Sequence, residues 1–468
     1  MRFSFLFNTL FTLVLFLTSN VESKAQDGYS LDFQVKGWSD TTAFLGYYYG
    51  ESTYIKDTAL VDSKGKFSFK ASESLSQGMY MLVLGKTKAF EFLVGEDQRF
   101  SITTDTANYI THMKVSDDVN NRVFFENMVY NQGMNEKAAP WVKQRRDSLS
   151  SEEQRLEAQE VLRGLNVEVL AHFNEVANAN QGAFVSTILK MQQKVDIPDG
   201  LDRQQQFQHY KTHFWDNMDL SNDALLRLPN SPYRAKMEDY LDNLFLQTSD
   251  SLIVGIDYIV SRAKSNPETY KYAVWNICIK YQNPKFMGQD RIFVYLYDKY
   301  FATGEMDFWA NESLKNNLKE RADQLRKSLI GEQAQNMVML NENLQRVSLY
   351  DIKKKYTVIY FYDPDCGHCK KETPKLNGFY KNTKHDVEVF AVSADTSMVK
   401  MKKYIKDNGL TWVSANGPRT VTPQYQKLYD ANTTPTIYLL DEKKKIIAKK
   451  LEAVRIEEFL DNYERGNL

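Results

Sequence analysis

Three cysteines occur in the chain, and two of them, Cys366 and Cys369, stand three positions apart in "FYDPDCGHCKKETP", residues Phe361 to Pro374. A thiol pair at this spacing admits dithiol-disulfide electron transfer, half of a metal site, or no chemistry at all. A structural zinc site needs four ligands. The nearby histidines are His368 and His385 and there is no second cysteine pair, so no metal is expected. The third cysteine, Cys278 in "VWNICIKY", shares a helical face with Val274, Ile277 and Tyr281 and reads as a small buried hydrophobe. His112, His172, His209 and His213 are scattered and join no recognisable triad.

The strand-like run "YTVIYFY" is followed by "DPDC", which puts Cys366 at or just before a helix N-terminus. Unpaired backbone N-H groups and the helix dipole there favour thiolate over thiol. Cys369 falls one turn further in, more buried and within disulfide reach, so the first sulfur attacks and the second resolves the mixed disulfide. Gly367 is expected to let the backbone bend between them, and His368 to place a donor near the Cys366 sulfur. Both would lower the Cys366 pKa, favour the reduced form and make the disulfide a better oxidant. Glu372 follows in the first turns of the helix, where the dipole alone favours an acid. A second signal lies in "ANTTPTIYLL", where Pro435 opens a strand after Thr433 and Thr434.

The elements that must position these groups follow from periodicity. From Glu332 onward strands alternate with helices: "YTVIYFY", then "KKETPKLNGFYKN", "DVEVFAVSAD", "TSMVKMKKYIKDNG", "TPTIYLLD", "KKIIAKK" and "RIEEFLDNYERG". This order predicts a mixed sheet covered on both faces. Residues 26–110 read as a small all-β domain, a sandwich or barrel, from runs such as "DFQVKGW", "TAFLGYYYG", "KFSFKA", "MYMLVLG" and "FEFLVG". Lys64 and Gly65 between "TALVDS" and "KFSFK" predict a hairpin turn. Residues 111–330 read as an all-α domain. One helix opens with a capping-box pattern at Ser150 to Glu153, and another carries Leu314, Leu318, Ala322 and Leu325 at spacings of three or four.

Composition bounds the rest. The 59 basic and 60 acidic residues nearly cancel and no long block of like charge occurs, which removes support for nucleic-acid or anionic-lipid binding. Residues 1–25 carry Arg2, an apolar run from Phe3 to Thr18, and the small residues Ser23 and Ala25, the pattern of a secretory signal peptide. Cleavage after Ala25 would leave no membrane-spanning segment and would deliver the chain to a compartment where disulfides persist.

Cys366-Gly367-His368-Cys369 after a buried strand, Pro374 in the next helix and Thr434-Pro435 before a late strand together resemble the thioredoxin superfamily. The approach "GEQAQNMVML" and the segment "CKKETP" are similar to the exported TlpA/ResA-like thiol-disulfide oxidoreductases. The resemblance implies a thioredoxin-like α/β fold over residues 331–468, with Cys366 as nucleophile, Cys369 as resolving thiol and Cys366-Cys369 as the redox disulfide. It implies that Pro435 is cis and forms the substrate-binding edge with Thr434, and that Glu372 helps proton transfer, which would otherwise rest on His368 or on water. One departure is Tyr360, which occupies the place where ordinary thioredoxins carry a buried acid. The CGHC sequence is similar to that of protein disulfide isomerases, which implies an oxidising or isomerising lean.

The β and helical regions resemble accessory domains that precede such modules in Gram-negative envelope proteins. A periplasmic or envelope location, no cofactor, and protein thiols or disulfides plus a redox partner protein as partners are what the resemblance implies. A peroxiredoxin would need a threonine ahead of its reactive cysteine, which "DPDC" lacks. The rival is a non-enzymatic envelope binding or sensor protein whose thioredoxin-like domain is structural or redox-sensing.

Overall fold

A computed structural model describes residues 28–466 except Pro423. The predicted export signal, residues 1–25, lies outside the described residues. Among the described residues no helix is long and apolar enough to cross a membrane. The chain forms two compact units, one ending at Gln193 and the other beginning at Lys194.

The first unit opens with strands β1 (Tyr29–Lys36), β2 (Thr42–Tyr49), β3 (Ser52–Leu60), β4 (Lys66–Ala71), β5 (Gly78–Leu84), β6 (Thr87–Val94), β7 (Arg99–Asp105) and β8 (Lys114–Ser116). They make two four-stranded sheets, β4-β1-β7-β8 and β3-β2-β5-β6. Alternation along β1 sends Leu31, Phe33 and Val35 inward, and one apolar cluster joins them to Leu45, Leu82 and Phe92 of the other sheet. Two sheets sharing one core make a sandwich, as the strand spacing predicts.

The hairpin expected at Lys64-Gly65 is not formed. β3 pairs with β2, whereas β4 pairs with β1 in the other sheet, so the turn carries the chain from one sheet to the other. Asp62 Oδ1 fastens it by accepting the N-H groups of Lys64 at 2.8 Å and Lys66 at 2.7 Å. Gly65 has φ +74°, and a Cβ there would meet the Val35 carbonyl oxygen at 2.1 Å. A local reversal signal is the same whether or not the two strands then pair.

Helices α1 (Val119–Arg146), α2 (Glu152–Ala179) and α3 (Phe184–Met191) complete this unit. Asp118 caps α1, and Ser151 caps α2 in a reciprocal capping box with Gln154.

The second unit begins with α4 (Arg203–His213), α5 (Pro232–Asn243), α6 (Ser249–Ala263), α7 (Pro267–Gln282), α8 (Asp290–Leu296) and α9 (Glu312–Arg326). A seven-stranded sheet follows, built from β9 (Val338–Leu340), β10 (Arg346–Ser348), β11 (Tyr356–Tyr362), β12 (Val387–Ser393), β13 (Val413–Thr420), β14 (Thr436–Leu440) and β15 (Ile446–Lys449) in the order β10-β9-β13-β12-β11-β14-β15. β11, β12 and β13 run parallel, and β14 and β15 add antiparallel edges. Helices α10 (Gly367–Asn382), α11 (Met398–Asn408), α12 (Tyr425–Leu428) and α13 (Ile456–Glu464) connect and close it.

Every residue of β11 is buried because each face of the sheet has its own core. Val358, Tyr360 and Tyr362 pack with Leu376, Ile456 and Leu460, while Ile359 and Phe361 pack with Met339, Tyr425 and Tyr438. Such two-sided burial is what an unbroken apolar strand predicts. The strand thus ends as a rigid platform directly beneath the two cysteines.

Candidate functional site

β11 stops at Tyr362, and the turn Asp363-Pro364-Asp365 delivers Cys366 as the N-cap of α10. The Cys366 Sγ accepts the backbone N-H of Cys369 at 3.3 Å, the position a capping serine oxygen would occupy. Burial opposes ionisation of this sulfur, but the hydrogen bonds from Cys369 outweigh it. With smaller help from Thr434 and the His368 backbone, they bring the thiol below its ordinary value.

Cys369 is fully buried, its Sγ accepting the Asp363 N-H at 3.5 Å, and burial pushes its thiol up to about 12. Cys366, Cys369 and Cys278 are all free thiols. The two sulfurs are thus unlike: ionisation is favoured at the half-buried Cys366 and opposed at the enclosed Cys369.

The loop before β14 comes to the same place. The Thr434-Pro435 peptide bond is cis, and the Cys366 thiol donates to the Thr434 carbonyl at 3.3 Å. A cleft of about 470 Å³ is lined by His368, Lys371, Glu372, Thr433, Pro435 and Lys450. The six residues singled out in the sequence, Cys366, Cys369, His368, Glu372, Thr434 and Pro435, therefore meet at one end of the sheet.

Two residues between the cysteines, Gly367 and His368, stand differently from expectation. The His368 side chain is exposed, and this residue reaches the Cys366 sulfur through its backbone N-H. A rotation of about 100° per residue carries the imidazole around the helix, away from the capping position. Gly367 has no positive φ, and an added Cβ would meet nothing within 4 Å, so it is an ordinary first helical residue rather than a bend.

Glu372 lines the cleft, but its Oε1 accepts the Ala453 N-H at 2.6 Å and its Oε2 pairs with Lys375 at 3.1 Å. Its carboxylate is thereby fastened to the turn that follows β15.

Tyr360, at the place of the buried acid, begins a line of hydroxyls that sequence reading did not find. Its OH lies 2.7 Å from Thr373 Oγ1, which lies 2.7 Å from the Tyr404 OH, which donates to the Cys369 carbonyl at 3.3 Å. Burial raises the pKa of both tyrosines, so the line is a chain of neutral hydroxyls. Its members come from β11, α10 and α11, and no spacing in the chain links them.

Among the described residues, the groups close enough to share a metal ion are His385, Glu457 and Asp461, and Asp363, Asp365 and Asp395. Neither includes a cysteine, and each already holds a lysine, Lys384 on Asp461 at 2.7 Å and Lys400 on Asp365 at 2.6 Å.

Comparison with known proteins agrees with this geometry. Residues 330–449 match the AhpC/TSA family, while residues 29–124 and 166–327 match two domains of unknown function, DUF4369 and DUF5106. The chain is similar to the thiol-disulfide oxidoreductase ResA of Bacillus cereus, 28% identical over 138 residues, covering 29% of this chain and 78% of that protein. It is likewise similar to ResA of Bacillus subtilis, 29% identical over 136 residues, covering 28% and 73%.

Among solved structures, a domain of a possible thiol-disulfide isomerase from Cytophaga hutchinsonii shares 33% identity with a TM-score of 0.28, covering 30% of this chain and 95% of that one. A thioredoxin-like protein from Bacteroides caccae shares 18% identity with a TM-score of 0.46, covering 57% and 97%. Residues 330–449 of this multidomain chain thus form a thioredoxin-like domain that matches the AhpC/TSA family and is similar to the ResA thiol-disulfide oxidoreductases.

Proposed function

We propose that the protein is an exported thiol-disulfide oxidoreductase acting on envelope proteins through the Cys366-Cys369 dithiol. The observation that carries this reading is the Cys366 sulfur, capped by the Cys369 N-H and set against the Thr434 carbonyl beside Pro435. In the reducing direction the Cys366 thiolate attacks a substrate disulfide, forming one S-S bond and releasing one substrate thiolate. Cys369 then loses its proton and attacks Cys366, which forms the intramolecular disulfide and frees the second substrate thiol. The substrate gains two electrons, the dithiol loses two, and a redox partner protein with its own dithiol restores the starting state. The reverse sequence oxidises a substrate dithiol.

Within this reading Cys366 is the nucleophile, Cys369 the resolving thiol, and Thr434 and Pro435 the edge against which the substrate backbone lies. Glu372 and His368 exchange protons with an incoming substrate, a role supported by their place in the lining of the cleft. The family matches at 29–124, 166–327 and 330–449 support a division into a β-rich module, a helical module and a thioredoxin-like module, and the residue pattern of 1–25 supports an export signal ahead of them.

The test is reduction of a peptide disulfide by the full chain, beside trapping with Cys369→Ser. The variant should accumulate mixed disulfides through Cys366, and Cys366→Ser should lose turnover. A Cys366→Ser, Cys369→Ser double variant that retains full biological activity would instead assign the chain a binding or sensing role.

A further inference from the structure

The helical part of the second unit has no chemistry of its own in the reading above, yet it grips the loop that carries Thr434 and Pro435. Arg321 of α9 bonds both carboxylate oxygens of Asp430, with Nη2 to Oδ2 at 3.2 Å, and its Nη2 also donates to the Gln282 carbonyl at 3.3 Å. The side chains of Arg321 and Asp430 are 16% and 4% exposed.

Asp430 adopts φ +47°, a left-handed conformation uncommon for a residue with a Cβ, and stands four positions before Thr434. The same carboxylate receives Lys450 at 3.1 Å and Asn432 at 3.3 Å, and Lys450 also lines the cleft. A second attachment lies beside the first. Lys449 of β15 is buried against Asp290 of α8 and donates to the Ser328 carbonyl at 2.8 Å.

We propose that Arg321 is a positioning residue for the redox site, acting through Asp430 to hold the Thr434-Pro435 loop at its distance from Cys366. The inference rests on the oxidoreductase reading. A bidentate guanidinium on a buried carboxylate fixes orientation as well as distance, because the planar fork matches the two oxygens. Asp430 is thereby locked, and the five-residue segment from Asp430 to Thr434 leaves little slack between that anchor and the carbonyl that meets the Cys366 sulfur. The helical module is on this account a component of the site, held some distance behind the substrate edge.

The experiment uses the full chain with Arg321→Met and Arg321→Lys. In Arg321→Met, kcat/KM for a peptide disulfide should fall roughly tenfold or more, and the pH midpoint of Cys366 alkylation should rise as the Thr434 side-chain hydrogen bond that favours the thiolate loosens. Arg321→Lys, which keeps the charge but not the bidentate fork, should recover only part of both.

A folded Arg321→Met with wild-type rate and wild-type alkylation midpoint overturns the proposal. If Arg321→Met does not fold, amide hydrogen exchange on Arg321→Lys decides. Faster exchange at Ala431 to Thr434 with β11 unchanged supports the clamp, and unchanged exchange there overturns it. Should the wild-type protein reduce no disulfide at all, the oxidoreductase reading fails, while the exchange measurement still reports on the clamp.

Discussion

Thr373 Oγ1 lies 2.7 Å from the hydroxyl of Tyr360, so α10 supplies a neutral partner where related folds carry a buried acid. Thr373 also pairs with Tyr404 and therefore holds two enclosed phenols at once. Thr373→Val should leave the Tyr360 hydroxyl without that partner, at a cost of about 1–3 kcal/mol, while Tyr404 keeps its bond to the Cys369 carbonyl. Tyr360→Phe, which leaves the Thr373-Tyr404 bond in place, should cost only about 0.5–1.5 kcal/mol. Urea unfolding of the two variants checks the order, and equal losses would remove Thr373 as the shared partner.

The Cys366 thiol sits below its ordinary value, and Cys369 is pushed up to about 12. Alkylation of the folded, reduced protein should therefore modify one sulfur at neutral pH, with a midpoint below the ~8.5 of a free thiol. Cys369→Ser should keep that fast phase and Cys366→Ser should abolish it. A midpoint at the free-thiol value would overturn the assignment of Cys366 as nucleophile.

Asp430 has a definite pH signature. Burial opposes its ionisation, but Arg321 and then Lys450 hold the carboxyl below its ordinary value. A lowered folded pKa means that its contribution to stability is complete above the ordinary aspartate value of about 3.9 and disappears as pH falls through the folded value. Asp430→Asn should consequently show a shallower loss of stability than the wild type between about pH 4 and pH 2. Urea midpoints measured across that interval test the sign.

Lys449 and Asp290 form an ion pair whose side chains are 3% and 5% exposed. Lys449→Met should destabilise the second unit by about 3–5 kcal/mol, because it strands a buried carboxylate. The double change Lys449→Met, Asp290→Leu should recover most of the loss by removing both charges. Calorimetry of the two proteins gives the comparison, and a double variant as unstable as the single one would contradict it.

What could be read from the chain divides along physical lines. The site was legible where the relevant signals are local: a buried strand, a turn, a cysteine at a helix start, and a proline opening a later strand. β13 escaped because "VSANGPRT" carries glycine and proline, which mask strand periodicity even though Val413 to Asn416 pair with β12. The transfer of β4 to the opposite sheet escaped because a Lys-Gly turn encodes reversal and not partnership. Tyr360, Thr373 and Tyr404 escaped as a set because hydroxyls on three elements meet only after the sheet and both helices have packed. Arg321 and Asp430, 109 residues apart, carry no sequence signal that joins them.

Cys278 offers a different use of the same three sulfurs. It is wholly enclosed in α7, and burial pushes its thiol up to about 12. In the native state it is consequently invisible to a reagent that counts Cys366. The appearance of a third reactive thiol is thus an intrinsic clock for opening of the helical layer, readable on the unmodified chain while its redox pair is oxidised and silent.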